Sequence, residues 1–329
     1  MIPRERREMK NVYKVVSSAA LAAMLLGGLA LSNPVTAAES KASSGSSQQS
    51  ASKKASATHS GITLQASNAI YDGNYISIKI QRSGKGYKGK ITGGRYDEKT
   101  EEYIYDKGAM SDTDIYVDGK PIYEYGGGKS PAQRPSLVIS PGPDADTAYI
   151  RMSDASLLGG NHKAFPDKMK ITAQISLEGV KEPYMLEIPV QKSSDKAVVL
   201  KPEQTKKSGN LSMTLKQVRA TSASTRLQWV LKGKDVDLMN RLQYNFVDDQ
   251  GRKLDFISGR GTDENNKNGD FYFDFILRAL EPDVKSITIK PYTAEFEDPG
   301  AKSGPHKVDS NGETIKNYVK DLEMTIPVK

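Results

Sequence analysis

From Gly61 onward, apolar and polar residues alternate with the period of two that puts every second side chain on one face of a strand. Ile62, Leu64 and Ala66 alternate with polar residues, and Ile76, Ile78 and Ile80 do so on the return. Asp72-Gly73 between them predicts a two-residue hairpin turn. Further strands are predicted at 113–117, 137–139 and 147–152. Met169, Ile171, Ala173, Ile175 and Leu177 mark a long alternating strand, and Tyr184, Leu186, Ile188 and Val190 another. Pro189, on the opposite face of the latter, predicts an edge or a bulge because proline cannot donate to a ladder. After Ser193-Ser194-Asp195 the pattern resumes at 197–201, 211–215, 226–231, 242–246, 253–257, 271–277, 286–292 and 319–328. Trp229 points inward in this reading, and Phe271, Phe273 and Phe275 belong to a core. Only 235–241 offers a helical turn.

Short strands at this spacing predict an all-β fold: two tandem immunoglobulin-like β-sandwich domains, over 61–195 and 196–329. The halves also share short segments in the same order. Pro166-Asp167 precedes Lys170-Ile171-Thr172, as Pro282-Asp283 precedes Ser286-Ile287-Thr288. The first half closes on Ile188-Pro189-Val190 and the second on Ile326-Pro327-Val328, with comparable turns at Val117-Asp118-Gly119-Lys120 and Val247-Asp248-Asp249-Gln250-Gly251 in between. That order suggests one sandwich type repeated.

The N-terminus follows another logic. Arg4, Arg6, Arg7, Lys10 and Lys14 precede an apolar stretch that is strongest from Ala19 to Leu31. Asn33-Pro34 and the small residues of Val35-Thr36-Ala37 then follow. This is the order of a Sec-type signal peptide, residues 1–37, with cleavage after Ala37. Serines and glycines interrupt the apolar span, which falls short of the roughly 20 residues of a membrane helix. Residues 38–60 are rich in Ser, Ala and Lys, which predicts a disordered linker. The expected address is extracellular or cell-wall associated, with membrane attachment only if the signal peptide stays uncleaved.

Composition removes several classes of function. With no cysteine, neither disulfides nor thiolate metal sites are available. The formal charge of +7 falls to a mild +4 without residues 1–37, from 42 Lys/Arg against 38 Asp/Glu. No concentrated basic stripe occurs, so nucleic acid is not an expected partner. Gly126-Gly127-Gly128-Lys129-Ser130 lacks the first glycine of a phosphate loop, Tyr123 standing there, and reads as a plain loop. His59, His162 and His306 fall in no zinc or hydrolase motif, and no enzyme or cofactor is expected.

Two binding features remain. Asp263, Glu264, Asn266, Asn268 and Asp270 crowd oxygen ligands into one loop, a weak calcium candidate because an EF-hand counted from Glu264 ends on Phe275 rather than Glu. Tyr71, Tyr75, Tyr87, Tyr96, Tyr103 and Tyr105 cluster in the first half and form a candidate binding face for sugars or peptides.

Gly61-Ile62-Thr63-Leu64 through Ile70-Tyr71-Asp72-Gly73 resembles the start of an uncharacterised ectodomain of Gram-positive, anti-sigma-factor-like membrane proteins. The second half resembles the domain of unknown function that often follows it. Tyr244 to Gly251 carries that match, together with Leu280-Glu281-Pro282-Asp283 through Pro291-Tyr292. The resemblance implies tandem immunoglobulin-like sandwiches outside the cell and transfers no functional residues. With about fourteen residues before the apolar stretch, this chain resembles a secreted form without the cytoplasmic part. The expected function is a non-catalytic envelope protein that binds wall polymer or another exported or membrane protein. The alternative is a sensory ectodomain in envelope-stress signalling.

Overall fold

The computed structural model describes residues 55–126, 134–154, 163–262, 270–301 and 304–328. The expected signal peptide and residues 38–54 of the expected linker lie outside them. The described chain is almost entirely β. Its first half comprises β1 Ala55–His59, β2 Ile62–Tyr71, β3 Ile76–Gly84, β4 Gly94–Asp97, β5 Glu102–Tyr105 and β6 Met110–Val117. β7 Lys120–Pro121, β8 Ser136–Pro141, β9 Thr147–Ser153, β10 Lys168–Leu177 and β11 Tyr184–Gln191 complete it. One sheet runs β1-β2-β3-β9-β8, a second runs β11-β10-β6-β7, and β4 pairs with β5 alone. The inward residues of both larger sheets, Leu64, Ile78 and Ile150 from one and Val117, Ile171 and Leu186 from the other, meet in one core. Burying alternate faces against each other is what joins two sheets into a sandwich.

The second half opens with β12 Val198–Leu200, β13 Gln204–Ser208, β14 Leu211–Ala220, β15 Ser224–Lys232 and the short helix α1 Val236–Arg241. β16 Gln243–Asp248, β17 Phe256–Thr262, β18 Phe271–Arg278, β19 Ser286–Ala294, β20 Lys316–Tyr318 and β21 Met324–Pro327 follow. β14-β15-β18-β17 forms one sheet, with β12 and β13 both pairing β14, and β16, β20 and β21 pair β19 in the other. Trp229, Phe273 and Phe275 stack at the centre of this second core.

The two halves repeat one pairing scheme. β1-β2-β3-β9-β8 corresponds to β13-β14-β15-β18-β17, and β11-β10-β6 to β21-β19-β16. Ile171 faces Ile188 on one side and Val117 on the other. Ile287 faces Ile326 and Asp248 in the same way. The turn aspartates match as well: Asp118 accepts from the Lys170 amide at 2.8 Å, and Asp249 from the Lys285 and Ser286 amides at 2.7 and 3.3 Å.

Four local expectations are corrected. Asp72-Gly73 belongs to a four-residue connection, 72–75, closed by Asp72 Oδ1 accepting from the Asn74 and Tyr75 amides at 2.8 and 3.0 Å. The two-residue hairpin turn is Ser60-Gly61, whose φ angles of 52° and 77° are those a type I′ turn requires. Residues 55–59, assigned to the linker, form β1: Ala55, Ala57 and His59 face the interior, and the buried Tyr184 hydroxyl donates toward the His59 and Ile62 carbonyls at 3.0 and 3.1 Å. Small residues sufficed because the backbone ladder with β2 supplies the pairing. β17 runs to Thr262 rather than ending at 257, since Gly259 and Gly261 leave room for the rings of Phe275 and Phe273. The predicted 319–328 strand is also reduced to β21, after a 3-10 turn at Lys320–Leu322.

Candidate functional site

The six tyrosines of the expected face separate into three environments. Tyr71 and Tyr75 are buried at the junction of the sandwiches, and the Tyr71 hydroxyl donates to the Phe165 carbonyl at 3.2 Å. Burial, reinforced by nearby carboxylates, raises the pKa of both hydroxyls. Tyr87 lies under the Arg82 guanidinium, 3.8 Å from ring centroid to carbon. Arg82 is itself buried, paired with Asp146 at 2.7 Å and donating to the Gly89 and Gly108 carbonyls. Tyr96, Tyr103 and Tyr105 do come together: Tyr96 stands opposite Tyr103 across the β4–β5 hairpin, and Tyr105 meets Tyr103 edge-on at 4.9 Å. No single face therefore holds the six, because strand alternation and burial at the junction divide them.

That junction is a buried polar network. Arg226 on β15 is 1 % exposed and pairs with Asp274 of its own sandwich and, at 3.0 Å, with Asp154 of the first. It also donates to the Asp154 and Asn74 carbonyls. Burial alone would lower its pKa, but Asp274 and then Asp154 outweigh that and raise it. Asp72 accepts from Thr221 at 2.6 Å and Ser224 at 2.5 Å, while Asn74 donates to the Arg219 carbonyl at 3.0 Å. The β2–β3 connection is thus bound into the second sandwich by a network of buried and part-buried hydrogen bonds.

Of the calcium candidates, Asp263, Glu264, Asn266 and Asn268 lie outside the described residues. Asp270 is buried and paired with Lys232 at 2.7 Å. Among the described residues no group of three or more His, Asp and Glu stands within reach of one metal ion. His59 pairs with Glu182 at 3.2 Å, His306 stacks on Phe296 at 4.7 Å, and His162 is outside the described residues. Of the glycine-rich loop 126–130, Gly126 alone is described.

A surface not singled out in the sequence has the features of a binding face. Ile287 and Ile289 of β19 enter the core, so Thr288, Lys290 and Tyr292 lie on the outer side of the sheet, where Thr288 and Lys290 are half-buried and Tyr292 is covered to 8 % exposure. Asn245 faces Lys290, and Gln243 faces Tyr292, from β16. On the other side β20 brings Tyr318 opposite Tyr292, with ring centroids 5.8 Å apart, and Lys316 opposite Ala294. The Lys290 ammonium lies 5.8 Å from the Tyr318 ring and the Lys316 ammonium 5.5 Å from the Tyr292 ring. The Tyr292 hydroxyl donates to Gln243 at 2.8 Å, and burial, followed by Tyr318, pushes it up to about 12. Tyr318 accepts from Asn245 at 2.8 Å, which leaves its own hydroxyl proton for a ligand acceptor. Tyr318 is 40 % exposed. The result is an outer sheet face on which the exposed Tyr318 ring packs against the buried Tyr292 ring, with the Lys290 and Lys316 ammonium groups beside them. The alternation of 288, 290 and 292 was readable in advance, whereas the approach of β20 depends on a 295–315 excursion that periodicity does not report.

The family described as "Family of unknown function (DUF5643)" matches residues 197–326, the second sandwich. The chain is similar in fold to "The crystal structure of the conserved domain protein from Bacillus anthracis", with a TM-score of 0.50 and 11% identity over 84% of this chain and 92% of that one. No curated protein sequence matches the chain.

Proposed function

We propose that this protein is a non-catalytic exported protein of the cell envelope, whose second sandwich binds wall polymer through the outer face of β16, β19 and β20. The observation that carries this is the exposed Tyr318 ring, backed by the buried Tyr292 and accompanied by Lys290 and Lys316 on one outer sheet face. The exposed Tyr318 ring offers an apolar face to sugar or polyol carbons while its hydroxyl stays wet. The lysines supply charge at the same place. The N-terminal residues that read as a signal peptide support delivery outside the cell. The Arg226 network supports a further feature of the reading, that the first sandwich is a fixed spacer rather than a freely swinging one.

The experiment is co-sedimentation of residues 38–329 with isolated Gram-positive cell walls, wild type against Lys290→Glu/Lys316→Glu. Each ammonium–anion contact at the surface is worth up to ~1 kcal/mol, so losing both corresponds to a loss of up to about thirtyfold in affinity. Equal retention of the variant removes this face from the account, and failure of the wild type to sediment removes wall binding altogether.

A second reading is a sensory ectodomain acting with a separate membrane partner in envelope-stress signalling. The family match over 197–326 supports it, since it falls where the sequence resembles the second domain of tandem ectodomains. Deletion of the gene would then alter the envelope-stress transcriptional response, and an unchanged response would exclude this reading.

A further inference from the structure

We infer that the polymer held on this face is a linear phosphodiester polyanion rather than a neutral glycan, an inference that rests on the wall-binding reading above. The repeated scaffold supplies an internal comparison. Gln243, Asn245, Lys290 and Tyr292 occupy the register positions that Asp112, Asp114, Gln174 and Ser176 occupy in the first sandwich. The same outward sites are therefore acidic and ring-free in one copy, and cationic and aromatic in the other. The fold does not require either set, since both sandwiches close on inward residues alone. The charge on the second face is thus available to choose a ligand.

Its arrangement selects for a chain. Lys290 and Lys316 are at opposite corners of the β19–β20 pair, four residues apart along the strand direction and one strand across. At ~3.4 Å per residue and ~4.8 Å per strand, their Cα atoms are about 14 Å apart. Tyr292 and Tyr318 lie between them, side by side at one register position, and each ammonium stands near the ring on the neighbouring strand. An extended polymer with anionic groups joined by short polyol or sugar units can meet both ammonium groups and lay a carbon unit against the exposed Tyr318 ring between them. Neither lysine has a carboxylate partner among the described residues. Glu295, the acid next to β19, is taken by Lys307 at 2.7 Å.

The test compares retention on walls before and after hydrofluoric-acid extraction, which cleaves phosphodiesters and leaves peptidoglycan. Extraction is expected to reduce retention about tenfold, and soluble poly(glycerol phosphate) to displace the protein from untreated walls. The K290Q/K316Q variant should lose that sensitivity, while K206Q/K207Q, equal in charge and placed on β13, should keep it. Full retention on extracted walls would overturn the polyanion inference while leaving wall binding standing. Absence of binding to either preparation would overturn wall binding itself. Displacement by phosphatidylglycerol vesicles as effectively as by the polymer would overturn the choice of a linear chain.

Discussion

Replacing Arg226 by Met is the sharpest test of how the two sandwiches are joined. The substitution keeps length and apolar bulk but removes the cation that Asp154 and Asp274 share, both of which are under 10 % exposed. Breaking a buried pair by removing one partner costs about 3–5 kcal/mol, because the remaining charge is left uncompensated. With a urea slope of about 3 kcal/mol/M for a chain of this size, the unfolding midpoint should fall by about 1–1.7 M. Trp229, the single tryptophan, lies in the second core and reports on that sandwich, whereas far-UV circular dichroism reports on both. In the wild type the two signals should change together. In Arg226→Met they should separate, because Asp154 is the first sandwich's carboxylate in the network. A loss below ~1 kcal/mol with coincident transitions would refute the coupling.

Tyr244→Phe is expected to change stability by less than ~1 kcal/mol, read from urea midpoints, because the buried hydroxyl makes no hydrogen bond of good geometry and has the Trp229 side chain as its polar neighbour. Gly84→Ala should lower stability by about 1–3 kcal/mol from backbone strain alone; its φ is 109°, and a Cβ there would fall 2.1 Å from the Gly61 carbonyl oxygen, closing on the β1–β2 turn. Asp283 should titrate at about 2 by carboxyl carbon NMR, held down by hydrogen bonds first from Arg252 and then from Gln250. Its depressed pKa makes the stabilising contribution present above the unfolded value near 4 and lost as pH falls through about 2. Arg252→Ala should move the midpoint up toward the ordinary carboxylate range, and an unmoved midpoint would contradict the assignment.

The strands of both cores were legible because inward residues such as Ile76, Ile78 and Ile80, or Phe271, Phe273 and Phe275, repeat with period two over buried stretches. β1 was hidden since Ala55, Ala57 and His59 are too small or too polar to mark an inward face, and its partner is supplied by backbone pairing. Gly259 and Gly261 concealed β17 for the opposite reason: the rings of Phe273 and Phe275 occupy the space their side chains would need. The candidate site was readable only in part. Lys290 and Tyr292 show their outward phase in the sequence, but Tyr318 and Lys316 reach them through strand order, which periodicity does not encode. Tyr71 and Tyr75 were assigned to a surface because composition cannot distinguish an exposed tyrosine from one buried where two sandwiches meet.

The proposed wall contact lies on one sheet of the second sandwich. Amine-labelling mass spectrometry of the wall-bound protein against the free protein tests this most directly. Lys290 and Lys316 should be protected on binding, while Lys79, on the outer face of the first sandwich, and Lys206 on β13 stay reactive. Unchanged labelling of Lys290 and Lys316, with protection elsewhere, would contradict it.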